Sequence, residues 1–570
     1  MSTTRQERVA KARRRLGLGA VVATTLLLMV GSVGNVGIRA GRAQATVQDD
    51  SRPSIVLVLM DDASMNLLRT MANAKKLMAR GASYSDSYVV DSLCCPSRAV
   101  TLTGQYPYQT GVYTNTGKTS FDGSLLGGYH AFADHDDELR TFAVRLHDGG
   151  YQTGFFGKYL NEYAGGADNL PPVPPGWSAF EAIFETGYEG WNFAGQSYVE
   201  GSAPQLRTWP APPASATDAK KDSMYSTEVI GRDALGFIKT QQAAQKPYFV
   251  EVSTYATHQR IKPGIYPGDP KFPAEFRDRP GGWKRYGNCG LVDCRDLTTK
   301  DIAGFGSDPT RAYSRDGSRV KVWNQDPIYL SRSMAAQFLR DRARMAQSID
   351  RLLGRVMSTV DPNTYVVLTS DNGLHTGQFG LGVGKGSPYK TDSQVPLVIA
   401  GPGIPAGPRY GMASNLDLAP TFEQLAAVGS PSYRSGVSLV QNLRHPWKGV
   451  QRFAFLQHTR PPADSSDPDQ VGGGLVTSIP SYVAVRSPHG VLVRDDFVQF
   501  GSTTHNYWYE FYPYSPTRTW ERKNEYTNPA YRPQIQALMK RLDRWDQCRA
   551  GVSGADPVSS YCRDIVFASK

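Results

Sequence analysis

Four continuous apolar runs punctuate the chain, and each ends in polar or glycine-rich residues. They read SIVLVLMDD at 54–62, KPYFVEVSTYATH at 246–258, TYVVLTSDNG at 364–373 and VPLVIAGPG at 395–403. Runs without in-out alternation predict strands covered on both faces. Between the second and third, residues 334–360 place Phe338, Met345, Ile349, Leu352, Leu353 and Val356 at helical spacing. Strands alternating with helices predict an α/β domain with a mostly parallel central sheet between helices. In such sheets ligands bind beyond the carboxyl ends of the strands. Asp61, Asp62, His258, Asp371 and Asn372 stand at such ends, so three distant segments are expected to converge on one edge.

Elsewhere the pattern changes. Residues 261–333 are rich in Gly, Pro, Asp and Arg with weak periodicity, and are read as a long ordered insertion near the cleft. After about Pro446, short alternating aromatic strands (SYVAVRS, GVLVRDDFVQF, NYWYEFY) precede a helical stretch at 529–547. These predict a smaller C-terminal domain with an antiparallel sheet and a packed helix. The boundaries follow: 1–45 leader, 50–445 main α/β domain, 446–548 C-terminal subdomain and 549–570 tail.

Residues 1–45 lead with Arg5, Arg8, Lys11 and the triplet Arg13, Arg14, Arg15, followed by an apolar run at 16–38 and Ala43-Gln44-Ala45. This is the layout of a bacterial export signal, of the Sec or, given the arginine triplet, the twin-arginine type. An uncleaved anchor is the alternative, and membrane association is expected only in that case. The leader also alters the charge picture. The whole chain is +11, but eight Lys/Arg and one Glu fall in the leader, leaving about +4. So mild a balance permits an anionic substrate and does not suggest a nucleic-acid binder.

An exported chain meets oxidising conditions, so Cys289 with Cys294 and Cys548 with Cys562 are expected as local disulfides. Cys94 and Cys95 remain; a bridge between sequence neighbours is strained. The acidic strand ends offer only oxygen ligands, which select a hard cation: Ca²⁺, with Mg²⁺ second. A soft cysteine beside such a site is chemically out of place, unless it is no longer a thiol.

The stretch Cys94-Cys95-Pro96-Ser97-Arg98, followed by Leu102-Thr103-Gly104, resembles the type I sulfatase signature. Residues 141–163 (TFAVRLHDGGYQTGFFGKYLNEY) and 370–403 resemble N-acetylglucosamine-6-sulfatases and heparan sulfate endosulfatases. The resemblance implies an alkaline-phosphatase-like fold. It implies a formylglycine made from Cys94 by a formylglycine-generating enzyme, with Cys95 in the free position of the motif. It further implies a metal site of Asp61, Asp62, Asp371, Asn372 and the modified Cys94. Arg98 would steady the hydrated aldehyde, and Lys158, His258 and Lys385 would contact the sulfate. The implied activity is hydrolysis of sulfate esters on sugars such as glucosamine-6-sulfate or glycosaminoglycan-like chains. The alternatives are a phosphonate monoester or phosphodiester hydrolase of the same superfamily, and a non-catalytic glycan-binding protein. The sequence departs from the family pattern at Gln105, where arginine is common, at Leu160, where many sulfatases have histidine, and at Gln259-Arg260 after His258. Asn161 and Glu162 are candidates for shaping sugar binding, and His375 for a supporting role near the metal loop.

Overall fold

The computed structural model describes residues 51–119, 123–282, 284–471, 475–498 and 504–567; the leader lies outside them. Four parallel strands form the middle of the main sheet: β1 (Ser54–Met60), β2 (Gln152–Lys158), β3 (Tyr248–Ser253) and β4 (Thr364–Ser370). Their spatial order is β4-β1-β3-β2, within a sheet of ten strands among the described residues. Antiparallel pairings enter on both sides of this middle. The fourth apolar run, β5 (Leu397–Ala400), pairs antiparallel with β4 rather than extending the parallel set. The 26 residues that join them, 371–396, are spent on the loop after β4, the ladder of His375–Thr376 with Val383–Gly384 and the Lys385 segment, and not on a crossover helix.

β1, β3 and β4 are buried along their length, which explains their predominantly apolar sequence, whereas β2 carries Gln, Thr and Gly and is buried beyond its first residue. In β1, Ile55, Leu57 and Leu59 face a layer containing α1 (Cys94–Thr103), Phe142–Asp148 and Leu418–Leu425. Val56, Val58 and Met60 face the opposite layer, where α2 (Ser226–Ala243) packs beside α3 (Arg332–Thr359). α3 starts where the Ser331 side chain accepts from Met334 N at 3.2 Å, and it buries Leu339, Ile349, Leu352, Leu353 and Val356. Each such side chain stabilises the fold by about 1.5–3 kcal/mol when fully buried.

The second sheet is antiparallel, in the order Val320–Val322, Arg311–Tyr313, Tyr507–Pro513, Gly490–Asp496, Ser481–Ser487, Ala454–His458. The two strands at its edge come from the 261–333 insertion, a pairing the weak periodicity there gave no sign of. One face packs on α4 (Arg532–Arg549) through Leu538, Leu542 and Trp545. Cys289–Cys294 and Cys548–Cys562 form disulfides, and Cys94 and Cys95 are free. The C-terminal stretch is docked: Val566 O accepts from Arg452 N and Phe453 N. No helix among the described residues is long and apolar enough to cross a membrane.

Candidate active site

Strand register builds the site. Met60 lies opposite Ser370, so the residues that follow β1 and β4 emerge side by side. Asp371 N donates to Met60 O at 3.1 Å, and Asp62 N donates to the Asp371 carboxylate at 3.2 Å. Asp62 holds a left-handed backbone (φ 60°), a conformation that costs about 1 kcal/mol or more away from glycine and tends to persist at functional positions. Lys158 is the last residue of β2. The segment after β3 carries His258, and Thr257 N donates to Asp61 O at 2.7 Å. Lys385 follows a two-residue ladder in which His375 and Thr376 pair with Gly384 and Val383.

Cys94 is the first residue of α1, where the helix exposes unpaired N–H groups and the positive end of its dipole. Asp91 accepts from Leu93 N at 3.0 Å and Asn115 from Cys95 N at 3.0 Å, which fixes the entry to the helix. Gly104 ends it in the left-handed region (φ 59°). The two cysteines point to different worlds. Cys95 packs in the apolar layer with Ala99 and Leu102. Cys94 Sγ lies 3.5 Å from Asp61 Oδ1 and 2.8 Å from Lys385 Nζ.

The charges interlock. Lys158 Nζ donates to Asp61 Oδ2 at 2.7 Å. Lys385 Nζ donates to Asp62 Oδ1 at 2.6 Å and lies 3.0 Å from Asp469 Oδ1. Arg98 contacts Asp371 Oδ2 through Nε at 2.9 Å and Nη2 at 2.8 Å. Its Nη1 reaches Lys158 O at 2.8 Å and Ser253 Oγ at 2.6 Å. His258 Nδ1 sits 2.6 Å from Gln259 O, and Nε2 sits 3.1 Å from Asp469 Oδ1. Both neighbours are acceptors, so both ring nitrogens carry hydrogen.

Burial and charge act together on these groups. Burial disfavours each ammonium, yet Asp61 and Cys94 raise Lys158, and Asp469 and Asp62 raise Lys385 well above the usual lysine value. Burial likewise opposes the His258 cation, but Asp62 and Asp61 raise its pKa. Burial tends to raise Asp371 and Asp469, but Arg98 holds Asp371 low and Lys385 holds Asp469 low. Burial, then Asp371, pushes Asp61 up. Burial, then Asp61, pushes the Cys94 thiol well above its normal value. An unmodified thiol here stays protonated and is a poor nucleophile.

The carboxylate and amide oxygens at the two strand ends suit a hard cation, whereas the Cys94 thiol and the doubly protonated His258 beside them do not. Ligand atoms of Asp61, Asp62, Cys94 and His258 lie within 4.8 Å of one another. Asp62 Oδ2 and Asn372 Oδ1 are buried without a hydrogen-bond donor, while Asn372 Nδ2 donates to Asp62 Oδ1 at 2.6 Å. Two orphaned oxygens on neighbouring strand ends are an unfavourable arrangement that a cation relieves. This four-residue grouping takes in His258, which the sequence reading assigned to sulfate, and leaves out Asp371, whose oxygens turn to Arg98 and Asp62 N.

Three contributors escaped the sequence reading. Asp469 sits in the short helix Pro468–Val471 and bridges Lys385, His258 and Asn115, the last at 2.7 Å. Tyr188 lays its ring 4.9 Å from Lys158 Nζ and 4.4 Å from the His258 ring. Asn115 ties Asp469 to the start of α1. None has a motif; all three come from short connecting segments outside the sheet strands. His375 pairs with Asp392 at 2.8 Å, and Asp392 accepts from Ser387 N at 3.0 Å, so this pair braces the Lys385 loop. Glu162 accepts from Gly117 N at 2.9 Å, and Leu160 is a core residue. The assembled centre is closed: Cys94 and Lys385 are each 1% exposed.

Known proteins resemble this chain in sequence and in fold. A sulfatase family model matches residues 53–428. Human N-acetylglucosamine-6-sulfatase is 30% identical over 436 residues, covering 74% of this chain and 68% of that protein. An extracellular sulfatase homologue of Drosophila melanogaster is 29% identical over 411 residues, covering 69% of this chain. This chain spans only 31% of the fly protein's length. A solved structure in complex with its substrate, D-glucosamine-2-N,6-O-disulfate, superposes with a TM-score of 0.58 at 20% identity, covering 87% of this chain and 98% of that one.

Proposed function

The chain belongs to the sulfatase family, and from that premise we propose that it is a calcium-dependent sulfuric ester hydrolase acting on amino-sugar units of glycosaminoglycan-like chains. One observation carries the reading: Cys94, at the head of a buried helix, is set between Asp61 and Lys385 beyond the ends of four adjacent parallel strands.

Formylglycine at position 94 would supply a hydrated aldehyde as oxygen nucleophile, with a built-in route for releasing sulfate afterwards. Calcium held by Asp61, Asp62, Asp371 and Asn372 would supply the charge that favours ionisation of that oxygen. The remaining work falls to the chain's own groups. Arg98 fixes Asp371 and the carbonyl of Lys158, so it positions the metal-binding edge relative to the sulfate-binding edge. Lys158 and Lys385, kept charged by their acids, present Nζ–H donors to the sulfate oxygens as negative charge builds. His258 Nε2–H faces the same space and is the proton donor for the departing alcohol oxygen. Tyr188 shields both cations from water on one side.

The substrate class rests on the human relative's name and on the sugar bound in the structural neighbour. Export rests on the leader pattern and the extracellular relatives; membrane attachment would need that leader uncleaved. Maturation requires a formylglycine-generating enzyme as partner. The test is turnover of nitrophenyl sulfate and glucosamine-6-sulfate against bis-nitrophenyl phosphate. Sulfate esters should be preferred, and Cys94→Ala should lose a thousandfold or more in kcat, roughly what removing a nucleophile costs. A clear phosphodiester preference would reverse the assignment.

A further inference from the structure

The insertion at 299–313 and the segment at 520–524 of the antiparallel sheet's outer side enclose a cavity of about 870 Å3 that the catalytic centre does not use. Its walls carry five cations, Lys300, Arg311, Arg332, Arg522 and Lys523, against one carboxylate, Asp308. All five are exposed at the surface. Lys523 pairs with Glu525 at 3.3 Å. The other four have no acidic partner among the described residues, which separates them from the paired arginines elsewhere on this molecule. Trp520 forms one wall by lying over Gly304, where a side chain would come within 2.5 Å of the ring; φ there is 78°.

The cavity leads toward the catalytic edge. A second hollow of about 290 Å3 shares Ile302, Ala303 and Trp520 with it and is walled by Ser64 and Leu374. Ser64 and Leu374 each stand two residues beyond a proposed metal ligand, Asp62 and Asn372, and Leu374 N donates to Ser64 Oγ at 3.0 Å. Unpaired exposed cations attract multi-oxygen anions such as sulfate, and several spaced cations match a chain bearing a charge on each unit.

We propose that this cleft binds a sulfated stretch of the polysaccharide beyond the unit being desulfated, making Arg311, Arg332 and Arg522 determinants of polymer over monomer preference. The inference rests on the sulfatase reading for the identity of its ligand. A sulfated glycan is favoured over a nucleic acid because the chain as a whole, without its leader, carries only a mild positive balance.

The test uses the full-length mature protein, a heparin octasaccharide as probe, and the triple variant Arg311→Gln/Arg332→Gln/Arg522→Gln. Octasaccharide affinity should fall at least tenfold. The log–log salt dependence should flatten by about 2, as expected when three ionic contacts are lost. KM for the octasaccharide should rise in step while nitrophenyl sulfate turnover and Tm stay unchanged. The triple Arg→Lys variant, which keeps the charges, should retain most of the affinity and so exclude misfolding as the cause. Unchanged affinity in the Gln variant would overturn the proposal, as would equal affinity for a thymidine octanucleotide. The two readings fail separately. Cleft-dependent octasaccharide binding with no sulfate ester hydrolysed refutes the sulfatase reading alone, whereas aryl sulfate turnover with octasaccharide binding unaffected by the Gln variant refutes the cleft alone.

Discussion

The catalytic edge and the basic cleft solve opposite electrostatic problems with the same residue types. At the catalytic edge, Lys158, Lys385, Arg98 and His258 are buried, and each sits 2.6–3.1 Å from an acid. In the cleft, Arg311, Arg332 and Arg522 are exposed and form no ion pair among the described residues. Buried cations need partners because removing one member of a buried pair costs about 3–5 kcal/mol. Exposed cations keep their hydration, and an anionic ligand meets them at little desolvation cost but under strong salt screening. The comparison assigns geometry-setting to the first region and chain capture to the second.

Two perturbations would sharpen this contrast. The larger concerns Glu251, buried in β3 under the catalytic floor. Burial pushes its pKa up to about 7, with Arg98 pulling the other way. An acid raised on folding binds more protons in the native state, so stability falls as pH rises from about 4.5 to about 7 and is level above that. Glu251→Gln should therefore lack this decline. Relative to the variant, the wild type should lose about 2–3 kcal/mol between pH 5 and pH 8 in urea melts. Parallel pH curves for the two proteins would show that the buried floor carries no such linkage.

The smaller concerns Asp469. After burial, which acts the other way, its carboxylate is the largest influence on Lys385, ahead of Asp62, and favours the charged ammonium. Asp469→Asn should bring the Lys385 pKa down and move the alkaline limb of the pH–rate profile to lower pH by about one unit. The profile of the triple arginine variant in the cleft should not move. If Asp469→Asn leaves the alkaline limb in place, the carboxylate is a structural link to Asn115 and no more.

These regions also differ in how far the sequence disclosed them. Three of the four middle strands were legible because burial on both faces forces an apolar run, as in SIVLVLM; β2, whose QTGFFGK is broken by Thr and Gly, was not. The acids after such runs were legible because strand ends in a parallel sheet share an edge. Cys94 stood out by its motif. Asp469 did not, because a carboxylate in a polar Ser-Asp-Pro-Asp loop looks like any solvated turn. The antiparallel pairing of β5 was hidden, since an apolar run reports burial on both faces and not strand direction, and the 26 residues before it are long enough for either. The cleft arginines were hidden for a third reason: they lie some two hundred residues apart in sequence, at 311–332 and 522, and converge only because Arg311–Tyr313 joins the C-terminal sheet.

The most direct test of the account is peptide mass spectrometry of the protein purified from its native host. Trypsin releases residues 81–98, which hold both cysteines. The account predicts the aldehyde mass at Cys94 and an intact thiol at Cys95. Two unmodified thiols in protein that turns over sulfate esters would contradict it, because the buried Cys94 thiol would then have to act in a protonated state that its surroundings enforce.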